Sequence, residues 1–166
     1  AAVLDRVDRG ELSLDQLVEV PLDMFVTGVN ALAETFPHPG IQLSVATLIE
    51  VMITVSDNAA TDVSRGVAGG AAAVTANLRR LGLTDFRVDR TSREILGDFY
   101  GLPAVNPEAV AEAISNNPAR VPAQVDPNPD FEADPRDHTT PNAYLKLLLA
   151  IDGGTAMSAE SRKFLL

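Results

Sequence analysis

An apolar helical stripe that runs into a polar triplet constrains this chain more than any other feature. The triplet is Ser56-Asp57-Asn58, and small residues follow it. The stripe begins after Ser44 and has the spacing of one helical face, with Val45, Leu48, Ile49, Met52 and Ile53. Ser, Asp and Asn at the end of such a helix satisfy the backbone donors of a turn or cap the next helix. The segment therefore predicts two helices joined by a tight bend that offers a hydroxyl and a carboxamide together.

Further start and stop signals predict a mainly α fold. We expect helices over residues 1–9, about 59–67, about 71–81 and 141–151, and a last helix that begins at Ser158. Residues 18–43 predict a loop with at most short extended pieces. Altogether we expect about five to seven helices and under about a tenth of the residues in strands. One core is predicted from Leu48, Ile49, Met52, Ile53, Leu78, Leu145, Leu148 and Ile151.

Prolines are concentrated between Phe99 and Pro135, which hold seven of the eleven in the chain. This density opposes long regular elements and predicts a long loop. One short helix is expected after Asn106, with Pro107 at its first position and Ile114 facing inward.

Composition bounds the function. The 166 residues, 46% of them hydrophobic, suit a single domain with a true core. A net charge of −10 disfavours nucleic acid and anionic membranes as partners. The absence of cysteine excludes disulfides and thiolate chemistry, and neither His38 nor His138 has a second ligand at metal-binding spacing. We expect no metal and no cofactor, and neither a leader peptide nor a membrane-spanning run is visible in the sequence.

Several sequence blocks, taken in order, resemble the helical domain of class A serine β-lactamases. They are residues 43–52, Ser56-Asp57-Asn58, Gly69-Gly70, residues 77–83, Val88-Asp89-Arg90, residues 134–141 and residues 158–162. The resemblance implies the α domain of the β-lactamase and transpeptidase-like fold, as a single all-α domain over residues 1–166 with the β-sheet half missing.

The resemblance also implies roles for individual residues. Ser56 would pass a proton to the β-lactam nitrogen, Asn58 would hold the side chain of the substrate, and Asp57 would buttress the bend. Arg90 and Asp137 would form the ion pair that ties the ends of an omega-loop-like segment at about 87–137. We expect this contact to be bidentate, since a guanidinium fork fits a carboxylate.

Two features of that segment depart from the family pattern. Ser92 stands where the family carries the glutamate that activates the deacylating water. Glu94 is a candidate base only if the local backbone shifts, and otherwise it is an exposed first-turn charge or a residue that packs the loop. Residues 97–133 form an apparent insertion that could reshape a substrate cleft.

The nucleophilic Ser-x-x-Lys motif and the Lys-Thr-Gly motif occur nowhere in this sequence. We therefore expect the isolated chain to be inactive and to represent part of a longer parent, which would supply the missing β-domain segments. By resemblance the parent would be periplasmic or secreted and would act on a β-lactam or peptidoglycan-like molecule through a serine acyl-enzyme. Two alternatives remain open: a non-hydrolysing penicillin- or peptidoglycan-binding homologue, and a free-standing helical interaction module.

Overall fold

The computed structural model describes residues 1–25, 31–100, 112 and 129–166. The described residues form nine α-helices and one 3-10 turn, Leu22–Met24. The helices are α1 Ala2–Asp8, α2 Ala31–Thr35, α3 Val45–Thr54, α4 Asn58–Val67, α5 Gly70–Arg80, α6 Ser92–Tyr100, α7 Pro129–Glu132, α8 Pro141–Asp152 and α9 Ala159–Leu165. The predicted mainly α fold is confirmed.

Two short strands occur among the described residues, β1 Leu17–Glu19 and β2 Gln42–Ser44, and they pair antiparallel. They are the short extended pieces expected within residues 18–43. The same stretch also contains α2, which the sequence did not predict. The expected number of helices was wrong because the fold uses one-turn helices such as α2 and α7, which are too short to show an apolar period.

Local capping signals gave correct helix starts. The Ser44 side chain accepts a hydrogen bond from Thr47 N at the start of α3, and Thr140 accepts one from Ala143 N at the start of α8. Ser158 caps α9 through Ser161 N. The predicted helix after Asn106 lies outside the described residues, apart from the helical Glu112.

The break between α4 and α5 depends on glycine. Gly69 has φ +100° and Gly70 has φ +86°, a left-handed backbone that residues with a Cβ adopt only under strain. A Cβ added to Gly69 would also lie 3.0 Å from Ala73 Cβ. These two residues separate α4 from α5, as the Gly69-Gly70 signal predicted.

Among the described residues, most of the buried apolar side chains form two clusters rather than the one core that was predicted. The first contains Val3, Leu4, Val45, Ile49, Ala68, Ala156 and Met157. The second contains Val20, Phe25, Leu32, Leu48, Ala59, Ala60 and Val63. Helix α3 lies between them, since Val45 and Ile49 face the first cluster and Leu48 faces the second. Met52 packs against both, whereas the buried Leu78 belongs to neither.

Three predicted core residues are exposed. Ile53 is 53% exposed, Leu145 is 53% exposed and Leu148 is 47% exposed, so their assignment to a core was wrong. Ile151, on the same helix as Leu145 and Leu148, does pack against the first cluster. Helical periodicity identifies an apolar face but does not identify what covers it.

A hydrogen-bonded contact joins the first and last helices. The carboxylate of Asp8 in α1 accepts hydrogen bonds from Ser158 N at 2.7 Å, Ser158 Oγ at 2.6 Å and Ser161 Oγ at 2.6 Å. Burial alone would raise the pKa of Asp8, but these hydrogen bonds outweigh it and hold that pKa below its ordinary value.

Candidate active site

The polar triplet forms the bend between α3 and α4. Helix α3 ends at Thr54 and α4 begins at Asn58. Ser56 lies between them with φ +56°, an unusual conformation for a residue other than glycine, and its side chain is exposed. Asn58 is half-buried in the first turn of α4. The bend therefore presents the Ser56 hydroxyl and the Asn58 carboxamide close together in the chain.

Asp57 fixes this bend from inside. Its side chain is fully buried, with Oδ1 accepting a hydrogen bond from Ala60 N at 2.8 Å. Oδ2 accepts a second one from Leu32 N, in α2, at 3.0 Å. A carboxylate at a helix N-terminus interacts favourably with the unpaired N–H groups and the helix dipole. Both oxygens of Asp57 thus tie the bend to the second apolar cluster.

The ends of the 87–137 segment lie side by side. Asp89 Oδ2 accepts a hydrogen bond from Asp137 N at 2.9 Å, and Asp137 Oδ1 accepts one from Asp89 N at 2.6 Å. Arg87 N also donates to the His138 carbonyl at 3.1 Å. These hydrogen bonds to backbone N–H groups join the two ends of the segment.

The predicted contact between Arg90 and Asp137 is present, with Nε 2.7 Å from Oδ2. It is not the bidentate fork that was expected. The other guanidinium contacts go from Nη1 to Asp98 at 2.8 Å and to Asp134 at 3.3 Å. The Asp137 carboxylate instead accepts additional hydrogen bonds from backbone N–H groups, including Arg90 N.

A second arginine extends this charged cluster. Arg136 contacts Asp98 at 2.9 Å and Asp134 at 2.5 Å, so two arginines share two aspartates. The hydrogen bonds from Arg136 hold the pKa of Asp134 far below its usual range. The Arg90 guanidinium also lies 5.3 Å from the ring centroid of Phe131. The sequence pointed to only one contact of this cluster, because the others depend on tertiary structure.

Glu94 caps α6. Its Oε2 accepts hydrogen bonds from Thr91 N at 2.7 Å and from Thr91 Oγ1 at 2.9 Å, while Thr91 Oγ1 accepts one from Glu94 N at 3.0 Å. This is a capping box, and the hydrogen bond from Thr91 N is the main reason that the pKa of Glu94 lies below its ordinary value. The geometry favours a first-turn charge over a base.

Sequence reasoning missed Asp62. This α4 residue is buried, and its Oδ1 accepts a hydrogen bond from Ser92 N at 2.8 Å. Asp62 follows Asn58 by four residues and therefore lies one turn along the same side of α4. That spacing was the only signal in the sequence. Burial raises the pKa of Asp62 despite hydrogen bonds from Ser92 and Arg93.

Asp62 and Ser92 line a cavity of about 390 Å³. Apolar side chains of α3, α5 and α6 form much of its wall, including Ile49, Met52, Val74 and Ile95. Its polar lining includes Asp62, Ser64, Ser92 and the loop-closing pair of Arg90 and Asp137.

Over its whole length, residues 1–166, the chain matches the family model described as the β-lactamase enzyme family. The chain belongs to this family. A β-lactamase of Aeromonas hydrophila, AER-1, is 28% identical over 162 residues, which are 98% of this chain and 42% of that relative. A Bacteroides uniformis β-lactamase is 29% identical over 91 residues, 54% of this chain and 31% of its own length.

Solved β-lactamases share the fold of this family member. A mutant of the class A β-lactamase of the last common ancestor of Gram-negative bacteria superimposes with a TM-score of 0.69 at 32% identity, and the match covers 99% of this chain. A Chitinophaga pinensis β-lactamase gives a TM-score of 0.71 at 23% identity, and in each comparison the match covers 49% of the solved chain. The chain thus spans about half the length of these relatives and corresponds to the helical domain of class A serine β-lactamases.

Within residues 1–25, 31–100, 112 and 129–166 there is no group of three or more His, Asp or Glu side chains suited to a metal ion. His38 and His138 are both exposed. Across the same ranges, every helix falls short of the length and apolar character needed to cross a bilayer.

Proposed function

We propose that this chain is the helical half of a serine hydrolase that forms an acyl-enzyme with β-lactams or related peptidoglycan-like substrates. In this proposal Ser56 donates a proton to the leaving nitrogen and Asn58 holds the acyl side chain of the substrate. Residues 87–137 correspond to the omega loop of the family in this proposal. The complete protein would be periplasmic or secreted, as the family resemblance implies.

The observation that carries the proposal is the bend at residues 56–58. Acyl transfer from a cyclic amide requires a proton donor near the leaving nitrogen and a fixed polar contact on the acyl group. Ser56 is held in a left-handed conformation that costs about 1 kcal/mol, and the buried Asp57 carboxylate holds the bend on both sides. A strained and exposed hydroxyl beside a carboxamide supports a catalytic purpose for this bend.

The chain by itself would not catalyse the reaction. Acylation needs an activated nucleophile, and no serine in this sequence precedes a lysine by three positions. We therefore propose that the isolated chain neither hydrolyses a chromogenic cephalosporin nor acquires a penicillin label.

Slow turnover is a second candidate, favoured by two observations. Ser92 replaces the expected glutamate, and the Glu94 carboxylate is engaged in the α6 cap. A protein without a strong base for deacylation would bind β-lactams covalently and release them slowly. This candidate shares the acylation step with the first and differs only in the lifetime of the adduct.

The test uses the full-length protein that contains this chain, labelled with a fluorescent penicillin. Ser56→Gly removes the hydroxyl and relieves the strained φ, so we expect labelling to slow by on the order of 100-fold while stability is kept or raised. Ser13→Ala, which removes an exposed hydroxyl far along the chain from the bend, is the control. Unchanged labelling of Ser56→Gly would contradict the role of Ser56, and absence of label on the unmodified protein would contradict the proposed function.

A further inference from the structure

Asp62 is a buried acid that the proposed function does not use. It is 4% exposed, and no lysine or arginine in the described part of the chain forms a salt bridge with it. The side chain instead accepts hydrogen bonds from Ser92 and Arg93 at the start of α6. A carboxylate buried in this way gains proton affinity, as its raised pKa indicates.

Ser92 contacts Asp62 and lines the same cavity as this acid. The Ser92 backbone N–H donates to Asp62 Oδ1 at 2.8 Å, and the Ser92 hydroxyl lies close enough to the carboxylate to lower its pKa. Both residues line the cavity of about 390 Å³. A volume of this size accommodates several water molecules beside the pair.

The cavity is also lined by a buried hydroxyl, that of Ser64, whose hydrogen-bonding capacity no described residue uses. Ser64 lies two residues after Asp62 on α4, is buried, and lines the same cavity. Among the described residues its Oγ has no hydrogen-bond partner. A buried hydroxyl without a partner usually binds water, so the cavity that Ser64 shares with Asp62 is suited to hold water.

We propose that Asp62 and Ser92 form a proton-accepting pair that activates a water molecule for hydrolysis of the acyl-enzyme. The proposal rests on the proposed function. The water transfers a proton to Ser92 Oγ while the Ser92 hydroxyl proton passes to the Asp62 carboxylate. The resulting hydroxide adds to the ester carbonyl carbon, the ester C–O bond breaks, and the departing serine oxygen recovers the proton through the same pair. Water and ester are consumed, and acid and free serine are produced.

Glu94 is less suited than Asp62 to accept the proton of the water molecule. Its carboxylate is exposed, accepts two hydrogen bonds from Thr91, and has a lowered pKa, all of which make it a weaker proton acceptor. Asp62 is buried with a hydroxyl beside it. In this arrangement Ser92 contacts the water and Asp62 acts through it as a positioning and proton-storing residue.

The experiment measures the lifetime of the penicilloyl adduct on the full-length protein by intact mass spectrometry. Asp62→Asn keeps an oxygen that can accept the Ser92 N–H but removes the base, so the adduct should persist on the order of 10–100-fold longer while the acylation rate stays the same and the variant is at least as stable as the unmodified protein. Ser92→Ala should lengthen the adduct lifetime similarly. A purely structural role for Asp62 would leave the lifetime of the Asn variant unchanged.

Asp8→Asn is the matched control. Asp8, like Asp62, accepts a hydrogen bond from the backbone N–H of a serine next to a helix start, but it lies between α1 and α9. We expect its substitution to leave the adduct lifetime unaltered. An unchanged lifetime in Asp62→Asn, or equal lengthening in Asp8→Asn, overturns the pair. Failure of the unmodified protein to form any adduct overturns the proposed function itself, and the pair with it.

Discussion

The bend at residues 56–58 and the closure of the 87–137 segment both depend on aspartate, but they are built differently. Asp57 is fully buried and uses two backbone N–H donors, one of them three residues away. Asp137 is half-buried and shares its partner Arg90 with Asp98 and Asp134. The bend thus relies on one carboxylate without a substitute, whereas the closure distributes its charge over several groups. We therefore expect substitution of Asp57 to lower the free energy of unfolding more than substitution of Asp137.

The largest effect is expected for Asp57→Ala. The substitution leaves two buried N–H groups unpaired and removes a helix cap, so the free energy of unfolding should fall by about 3–4 kcal/mol. Asp57→Asn, which keeps one acceptor oxygen, should lose roughly half as much. Urea denaturation of the two variants checks this. Equal and small losses would show that the bend does not depend on the carboxylate.

Asp137→Ala should cost less, about 2 kcal/mol, because Asp98 and Asp134 still neutralise the buried guanidinium of Arg90. Asp137→Asn removes the ion pair with Arg90 but keeps an amide oxygen that accepts from the N–H groups of residues 89 and 90. Comparison of the Asn and Ala variants therefore distinguishes the contribution of the ion pair from that of the backbone hydrogen bonds. A double-mutant cycle with Arg90→Ala should give a coupling of about 1 kcal/mol. A denaturation midpoint unmoved by Asp137→Ala would count against the pairing.

Asp62 connects the two regions, because it lies in α4 and contacts the start of α6. Its pKa is raised in the folded state, so ionisation is less favourable there than in the unfolded chain. The unmodified protein should therefore lose stability relative to Asp62→Asn as pH rises from the ordinary carboxyl range through the raised pKa, with a slope below about 1.4 kcal/mol per pH unit. No such difference is expected at lower pH. Parallel stability curves of the two proteins across this range would exclude the raised pKa.

The smallest effect is expected at the cap of α6. Glu94→Gln weakens the capping box while keeping an acceptor, and it should lower the free energy of unfolding by about 0.5 kcal/mol. The penicilloyl adduct of the full-length variant should keep its lifetime. A strongly lengthened lifetime would restore Glu94 as the base and would weaken the case for Asp62.

Structural features that depend on contacts between residues close in the sequence could be predicted. The caps at Ser44, Thr140 and Ser158 each involve a donor three residues away, and the glycine break before α5 depends on local backbone geometry. The Arg90 contact was predicted for a different reason, because the family resemblance supplied it. Its detailed geometry was wrong, since three carboxylates compete for one guanidinium.

Features that depend on distant partners could not be predicted. The carboxylate of Asp62 meets a residue 30 positions away, and that of Asp8 meets one 150 positions away. The exposure of Leu145 and Leu148 was missed because their pattern matches that of a buried helix. The sequence thus identified the triplet Ser56-Asp57-Asn58 at the candidate site but not the buried Asp62.

The two apolar clusters have different consequences for synthesis on the ribosome. Every member of the second cluster lies between Val20 and Val63, so this part can assemble while the rest of the chain is still being translated. The first cluster joins Val3 and Leu4 to Ala156 and Met157, and the hydrogen bonds of Asp8 to Ser158 and Ser161 lie beside it. Helix α1 can therefore pack early against Val45, Ile49 and Ala68, but its burial is completed only after Ala156 and Met157 have been synthesised.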